Sequence, residues 1–114
     1  MMRECCIAPT KDEAMKIARD YLVHKYAAYH KWGQDKAMPE GDNDLGQDMD
    51  ELMKDRFLVG TPDEVTEQIV RTVQECGTNH IVLGVQFPDM PHSMVTDQMQ
   101  LLAEEVFPQV KQAL

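Results

Sequence analysis

The stretch Phe57-Leu-Val-Gly-Thr-Pro-Asp-Glu-Val65 joins the end of a predicted strand to the start of a predicted helix. The apolar run at its beginning stops at Gly60. Thr61 can then accept a hydrogen bond from one of the first free amides of a helix. Pro62 takes a position in the first turn of that helix, where its fixed φ is favourable. Glu64 stands three residues after Thr61 and completes a capping box. The stretch therefore predicts a strand, a tight turn and a helix in immediate succession.

The predicted helix leads into another strand. Gly77 is placed to end the helix in the left-handed conformation. The apolar run Ile81–Leu83 follows closely and is unbroken rather than alternating, which is typical of a strand buried on both faces in a parallel sheet. A helix, a short turn and such a strand form half of a βαβ unit, so the predicted fold class is α/β. The apolar stripe of the helix consists of residues spaced four, four and three: Val65, Ile69, Val73 and Cys76.

Two segments before this stretch extend the pattern. The apolar run Cys5–Ala8 ends at Pro9 and predicts a short strand. Thr10 and Glu13 form a second possible capping box, and an amphipathic helix of about five or six turns is predicted from there to Gly33. Residues 33–50 are rich in Gly, Asp, Asn, Gln and Pro, which predicts a long exposed loop of the kind that is usually a functional lid or disordered.

A last helix is predicted near the C-terminus. Either Pro91 or Ser93 can open it, and Pro108 is expected to bend or restart it. Its apolar stripe is predicted as Val95, Met99, Leu102 and Val106.

Composition excludes several classes of function. The net charge of −9 argues against nucleic acid or an anionic membrane as a partner, because both require a concentrated basic face. No apolar run approaches the roughly 18 residues of a membrane span, and no signal peptide is evident, so a cytoplasmic protein is expected. Cys5, Cys6 and Cys76 lack paired C-x-x-C spacing, which indicates neither a disulfide framework nor a metal site. Cys76, on the helix stripe, is expected to be a small buried residue rather than a nucleophile.

The sequence also resembles a known family. Four segments are similar to the C-terminal part of luciferase-like flavin-dependent monooxygenases: residues 59–65, Cys76-Gly77 before Ile81–Leu83, Gln86-Phe-Pro-Asp-Met-Pro-His92, and Glu104-Glu-Val-Phe-Pro108. A complete barrel of this kind needs roughly 250 residues. The resemblance therefore implies a single domain over residues 1–114 that forms part of a (β/α)8-type barrel. The implied order is strand-helix-loop-helix-strand-helix, with two or three mostly parallel strands, three main helices and a mobile loop at 33–50.

Candidate site residues follow from the barrel rule that catalytic and ligand groups lie after the carboxyl ends of strands. Pro9 and Thr10 meet that rule, as does the loop that ends at His92. The charge of His92 changes near neutral pH, which suits a general acid or base, although it can equally be a cap or a surface residue. Gln86 and Phe87 are candidates for cofactor binding, with inward packing as the alternative for Phe87.

Two more candidates lie around the predicted turn. Gly60 and Thr61 can bind an anion through free amides at the helix start, unless Thr61 and Glu64 already satisfy those amides. A desulfonating branch of the family carries an arginine before its comparable signal, and Arg56 is the nearest counterpart, so the resemblance implies a catalytic role for Arg56. The family uses FMN or the deazaflavin F420, but most residues that grip it belong to earlier strands, so the isolated chain is expected to bind none.

Three functions are therefore open. The first is a C-terminal segment of a luciferase-like flavin-dependent monooxygenase that is inactive as an isolated chain. The second is a self-standing oligomeric binding or interaction module, and the third is a small flavoprotein whose site is rebuilt between subunits. Because two or three strands cannot close a barrel, a homo-oligomer is expected, formed by exchanged helices or by a sheet continued across chains.

Overall fold

The computed structural model describes residues 1–33, 36 and 56–114. The loop predicted at residues 33–50 lies almost entirely outside this part of the chain. This part of the chain contains three strands and five α-helices, and two of the helices continue directly into π-helical segments, Ala18–Leu22 and Leu102–Val106. The other elements in chain order are β1 (Met2–Ile7), α1 (Lys11–Ile17), α2 (Val23–Lys31), β2 (Leu58–Gly60), α3 (Pro62–Cys76), β3 (Val82–Gly84), α4 (His92–Leu101) and α5 (Phe107–Ala113).

The three strands form one parallel sheet in the order β2-β1-β3. Cys5 of β1 lies opposite Leu58 of β2, and Met2 lies opposite Val82 of β3. The α/β class is therefore confirmed. Successive strands of a barrel lie side by side, whereas here the chain passes from β2 across β1 to reach β3, so the partial barrel is not confirmed.

Apolar clusters cover both faces of β1. Successive side chains of a strand point to opposite faces, so Cys6 packs with α1 and the start of α4, whereas Cys5 and Ile7 pack with α3 and the second π-helical segment. Burial raises the pKa of the Cys5 thiol to about 12, and burial next to Cys5 and Glu4 also raises that of Cys6. Both thiols therefore stay protonated at neutral pH and act as small core residues.

Helix ends follow their local sequence closely. Thr61 and Glu64 form the complete predicted capping box, and Gly77 adopts the left-handed conformation with φ of 66°. At the start of α1, Thr10 Oγ1 accepts from the amide of Glu13. Pro91 is the N-cap of α4, which is one of the two predicted starts.

Three predictions about burial are wrong. Val82 of β3 is 51% exposed, and its register partner Met2 of β1 is 62% exposed, so both side chains lie on an uncovered part of the sheet. Cys76 is exposed, because it lies in the last turn of α3, beyond the core cluster against which the rest of the stripe packs. Met99 is 58% exposed, and the neighbouring Gln98 takes the buried position instead.

None of the helices in the described part of the chain is long and apolar enough to span a membrane.

Candidate functional site

The carboxyl ends of the three strands meet at one edge of the sheet, because all three run parallel. The segments that follow them are Pro9 and Thr10 after β1, Thr61 after β2, and the loop from Val85 to Pro91 after β3. In open α/β sheets this edge is where ligands bind. The structure thus brings most of the predicted site residues to one side of the molecule.

The turn between β2 and α3 depends on a glycine. Gly60 has φ of +153°, and a Cβ at this position would lie 2.9 Å from Cβ of Glu64. The missing side chain lets the first turn of α3 fold back over the end of β2. Glu64 can then place its carboxylate against the helix start, where Oε1 accepts from the amide of Thr61 at 3.3 Å.

Lys11, the first residue of α1, also contacts Glu64. Its Nζ lies 3.1 Å from Oε2 of Glu64 and also donates to the carbonyl of Val59 at 3.2 Å. The hydrogen bond from Lys11 is the main cause that lowers the pKa of the Glu64 carboxyl, and the amide of Thr61 adds to it. Gly60 and Thr61 therefore surround a carboxylate of the chain itself, so an external anion would have to displace Glu64.

The three candidate residues in and after the loop that follows β3 differ in their exposure to solvent. Gln86 is exposed, whereas Phe87 is 4% exposed and belongs to the core cluster against α1. His92 is exposed as the first residue of α4, and its carbonyl accepts from Oγ1 of Thr96 at 3.1 Å. A ligand at this edge can reach Gln86 and His92 directly, but would reach Phe87 only if the core opened.

Arg56 lies apart from the other candidates. It precedes the amino end of β2, whereas Thr61 follows the carboxyl end of the same strand. Arg56 lines a large groove of about 970 Å³ along the outer edge of β2, together with Arg3 and Arg71. The structure therefore does not bring Arg56 and His92 into one catalytic group.

A buried glutamine between β1 and the end of β3 was not predicted. Gln98 Oε1 accepts from the amide of Ile7 at 3.0 Å, and its Nε2 donates to the carbonyl of Val85 at 3.0 Å. The side-chain amide takes the place of a peptide group where β1 and β3 have separated. Its sequence signal is weak but present, since Gln98 lies three residues after Val95 and four before Leu102.

A second glutamine was missed at the outer edge of β2. Val59 donates its amide to Oε1 of Gln68 at 3.2 Å, and Nε2 of Gln68 donates back to the carbonyl of Val59 at 3.1 Å. Both groups point away from β1, toward the large groove. Side chains of α3 thus occupy the place that a further strand would take.

No metal-binding cluster of His, Cys, Asp or Glu occurs among residues 1–33, 36 and 56–114. No protein-family model matches the chain, and no curated protein matches it by sequence. The resemblance to luciferase-like monooxygenases, with FMN or a deazaflavin as cofactor, stays a prediction.

Proposed function

We propose that the chain is the C-terminal segment of a luciferase-like flavin-dependent monooxygenase, supplying strands and loops to a flavin site without holding a flavin by itself. The observation that carries this proposal is the outer edge of β2. There the amide and carbonyl of Val59 are held by Gln68 rather than by a strand. A strand that enters the groove can replace these two bonds with two equivalent ones, at little net cost in hydrogen bonding.

The proposal includes a rearrangement of strands. In a barrel the strand that follows β2 lies beside it, on the edge now occupied by Gln68. In the structure β3 lies beside β1 instead. Assembly with the missing part of a barrel would therefore move β3 to the outer edge of β2, with β1 between β2 and an earlier strand.

The charges around the helix start support the expectation that the isolated chain holds no flavin. FMN carries a phosphate, and helix N-termini are common phosphate sites. Here the carboxylate of Glu64 accepts a hydrogen bond from the amide of Thr61, and the same carboxylate forms an ion pair with Lys11. A phosphate at this position would meet a negative charge, so its binding site is proposed to lie on the missing strands.

The proposal extends to a homo-oligomer of the isolated chain. Met2 of β1 and its register partner Val82 of β3 are exposed large apolar residues, and β3 has a neighbouring strand on one side in the described sheet. Exposed strand edges favour pairing with another chain. Light scattering coupled to size exclusion is expected to show a dimer or larger assembly, and a monomer at all accessible concentrations would contradict this part of the proposal.

The main test combines the chain with the part it is proposed to complete. A luciferase-like monooxygenase that lacks its last three strands is co-expressed with this chain, and FMN binding is followed by flavin fluorescence. We expect co-purification and flavin binding by the pair, with no stoichiometric binding by this chain alone. An isolated chain that binds FMN one to one would contradict the proposal and favour the small flavoprotein.

Two variants at the β2 edge sharpen this test in opposite directions. Gln68→Ala frees the outward amide of Val59 and leaves Lys11 as the donor to its carbonyl, so it is expected to strengthen association with the truncated enzyme. Val59→Pro removes the outward amide and is expected to weaken it, because proline cannot donate to a strand ladder. Equal association of both variants would show that the outer edge of β2 does not take up a strand when the two parts assemble.

A further inference from the structure

We infer that the groove between α1 and α4, at the carboxyl ends of β1 and β3, binds a small organic cation with an apolar body. This inference goes beyond the proposed role in flavin chemistry and does not rest on it. It is carried by the position of the groove, its apolar walls and the charge of its rim.

The position is the topological switch point of the sheet. From β1 the chain crosses in one direction to β2, and from β2 it crosses back past β1 to β3. In open parallel sheets a crevice forms where the strand order reverses in this way, outside the carboxyl ends of the two strands. The groove lies at that place, since Ala8 and Pro9 after β1 line it together with Gln98 and Met94 of α4.

The walls of the groove are apolar. Ile17 of α1 and Tyr21 of the first π-helical segment contribute on one side, and Met94 and Leu101 of α4 on the other. Gln98 also lines the groove, but it is 1% exposed and its amide is bonded to Ile7, Val85 and the sulfur of Met90. The volume of about 340 Å³ lies at the small end of the range for ligand pockets. The interior therefore selects a compact apolar body.

The rim is negative. Glu13, Asp20 and Asp97 line it with a single lysine, Lys16, which pairs with Asp20 one helical turn away. Among the described residues, Glu13 and Asp97 form no ion pair, and they approach the groove from α1 and α4. Two carboxylates of this kind complement a positive charge held above an apolar body, and they disfavour phosphates and carboxylic acids. The net charge of −9 on the whole chain also favours the approach of a cation.

The test uses hexylammonium as the probe and two-dimensional amide NMR of the full chain as the measurement. We expect saturable shifts at the amides of Ala8, Tyr21 and Gln98. Affinity is expected to fall about fourfold for each methylene removed toward methylammonium, because each buried methylene contributes that much to transfer from water. Hexanoate and 1-hexanol, matched in length, are expected to bind more weakly than hexylammonium.

Two double variants with the same change in charge distinguish attraction by the rim carboxylates from attraction by the net charge of the whole chain. Glu13→Gln with Asp97→Asn is expected to weaken hexylammonium binding about fivefold, the range that exposed charge pairs support. Glu104→Gln with Glu105→Gln, on the second π-helical segment, is expected to leave it nearly unchanged. All four residues are exposed, so both variants should fold.

Three results would overturn the inference. Equal losses in the two double variants would show attraction by overall charge alone. Hexanoate binding as tightly as hexylammonium at the same amides would show an apolar groove without selection for cations. Shifts spread over the surface, or absent from Ala8, Tyr21 and Gln98, would show that the groove is not the site.

Discussion

Two glutamine side chains complete the hydrogen bonding of the sheet, one at the seam between β1 and β3 and one at the outer edge of β2. Gln98 is 1% exposed and joins the backbone of two different segments, Ile7 and Val85. Gln68 is only half-buried and returns both of its bonds to a single residue, Val59. A primary amide can replace a peptide group in both places, because it carries a donor and an acceptor side by side.

The difference between the two sites lies in the access of water. At the seam, the Gln98 side chain is 1% exposed even though it borders the groove between α1 and α4, so water has little access to its bonds. At the β2 edge a groove of about 970 Å³ lies alongside, and water or another strand can take over the role of Gln68. A glutamine side chain thus bonds to the backbone in both places, but only at the outer edge of β2 can water or a strand replace its hydrogen bonds.

The largest effect is expected at the seam. Gln98→Leu keeps the approximate size of the side chain but leaves the buried amide of Ile7 and the carbonyl of Val85 without a partner. We expect the free energy of unfolding to fall by about 3 kcal/mol, since each unsatisfied buried group costs about 1 to 3 kcal/mol. Urea denaturation measures the change.

Gln100→Leu is the matched control for the seam. Gln100 is an exposed residue of the same helix, and its side chain contacts Glu104 one turn later. This variant is expected to change stability by less than about 0.5 kcal/mol. A similar loss in both variants would mean that the cost of Gln98→Leu does not come from the bonds across the seam.

A smaller effect is expected at the turn that ends β2. Gly60→Ala places a Cβ 2.9 Å from Glu64 in a backbone region that side chains rarely adopt. We expect a loss of about 2 kcal/mol in unfolding free energy, within the range for such strained positions. Thermal unfolding followed by circular dichroism measures it.

Gly77→Ala separates steric contact from backbone strain. Gly77 also has positive φ, but a Cβ there meets nothing within 4 Å. Its loss is expected to be about 1 kcal/mol, the usual cost of a left-handed non-glycine residue. If Gly77→Ala costs as much as Gly60→Ala, the contact with Glu64 has no measurable part in the turn.

A still smaller effect is expected for the exchangeable glutamine. Gln68→Ala is predicted to lower the unfolding free energy by about 0.5 to 1 kcal/mol, because water in the groove replaces its two bonds to Val59. Amide hydrogen exchange at Val59 should accelerate in the same variant, while exchange at Ile7 stays unchanged. Gln74→Ala, at an exposed position of α3, is the control. A loss as large as that of Gln98→Leu would remove the distinction between the two sites.

Local sequence predicted the parts of the fold that depend on neighbours in the chain. The capping box of Thr61 and Glu64 and the left-handed Gly77 were predicted correctly, because each requires only a few adjacent residues. The assignment of three apolar runs to strands was also correct. These features decide where helices and strands begin and end.

Properties that depend on strand order were not predicted. Ile81–Leu83 and Cys5–Ala8 are similar apolar runs, yet the first forms an exposed edge and the second the buried centre. The position in the sheet is decided by which strand each run pairs with, and a single sequence does not reveal that. For the same reason Met99 was placed in the core instead of Gln98, because a buried glutamine is favourable only when the seam supplies both of its partners.

The candidate site was predicted in outline but not in detail. The carboxyl ends of the strands do meet, and they bring Thr61, Gln86 and His92 to one edge. Arg56 lies apart from them at the amino end of β2, a position that already followed from the predicted strand after Phe57. The bond of Lys11 to Glu64 spans two crossover helices, so no local pattern indicates it.

The smallest effect is a dependence of stability on pH at the β2 edge. The pKa of Glu64 is lowered in the folded state, first by the hydrogen bond from Lys11 and then by the amide of Thr61. A carboxyl whose pKa falls on folding stabilises the protein above its ordinary pKa of 4.5, and this contribution disappears as the pH falls through the lower folded value. Glu64→Gln should therefore narrow the difference in melting temperature between pH 6 and pH 3. Glu67 is an exposed residue on the same helix that forms no such contact with Lys11, so Glu67→Gln should leave that difference nearly unchanged.

The seam contains only neutral amides, so Gln98→Leu should lower stability equally at both pH values. A pH-dependent loss in Gln98→Leu would mean that the seam and the β2 edge are electrostatically coupled.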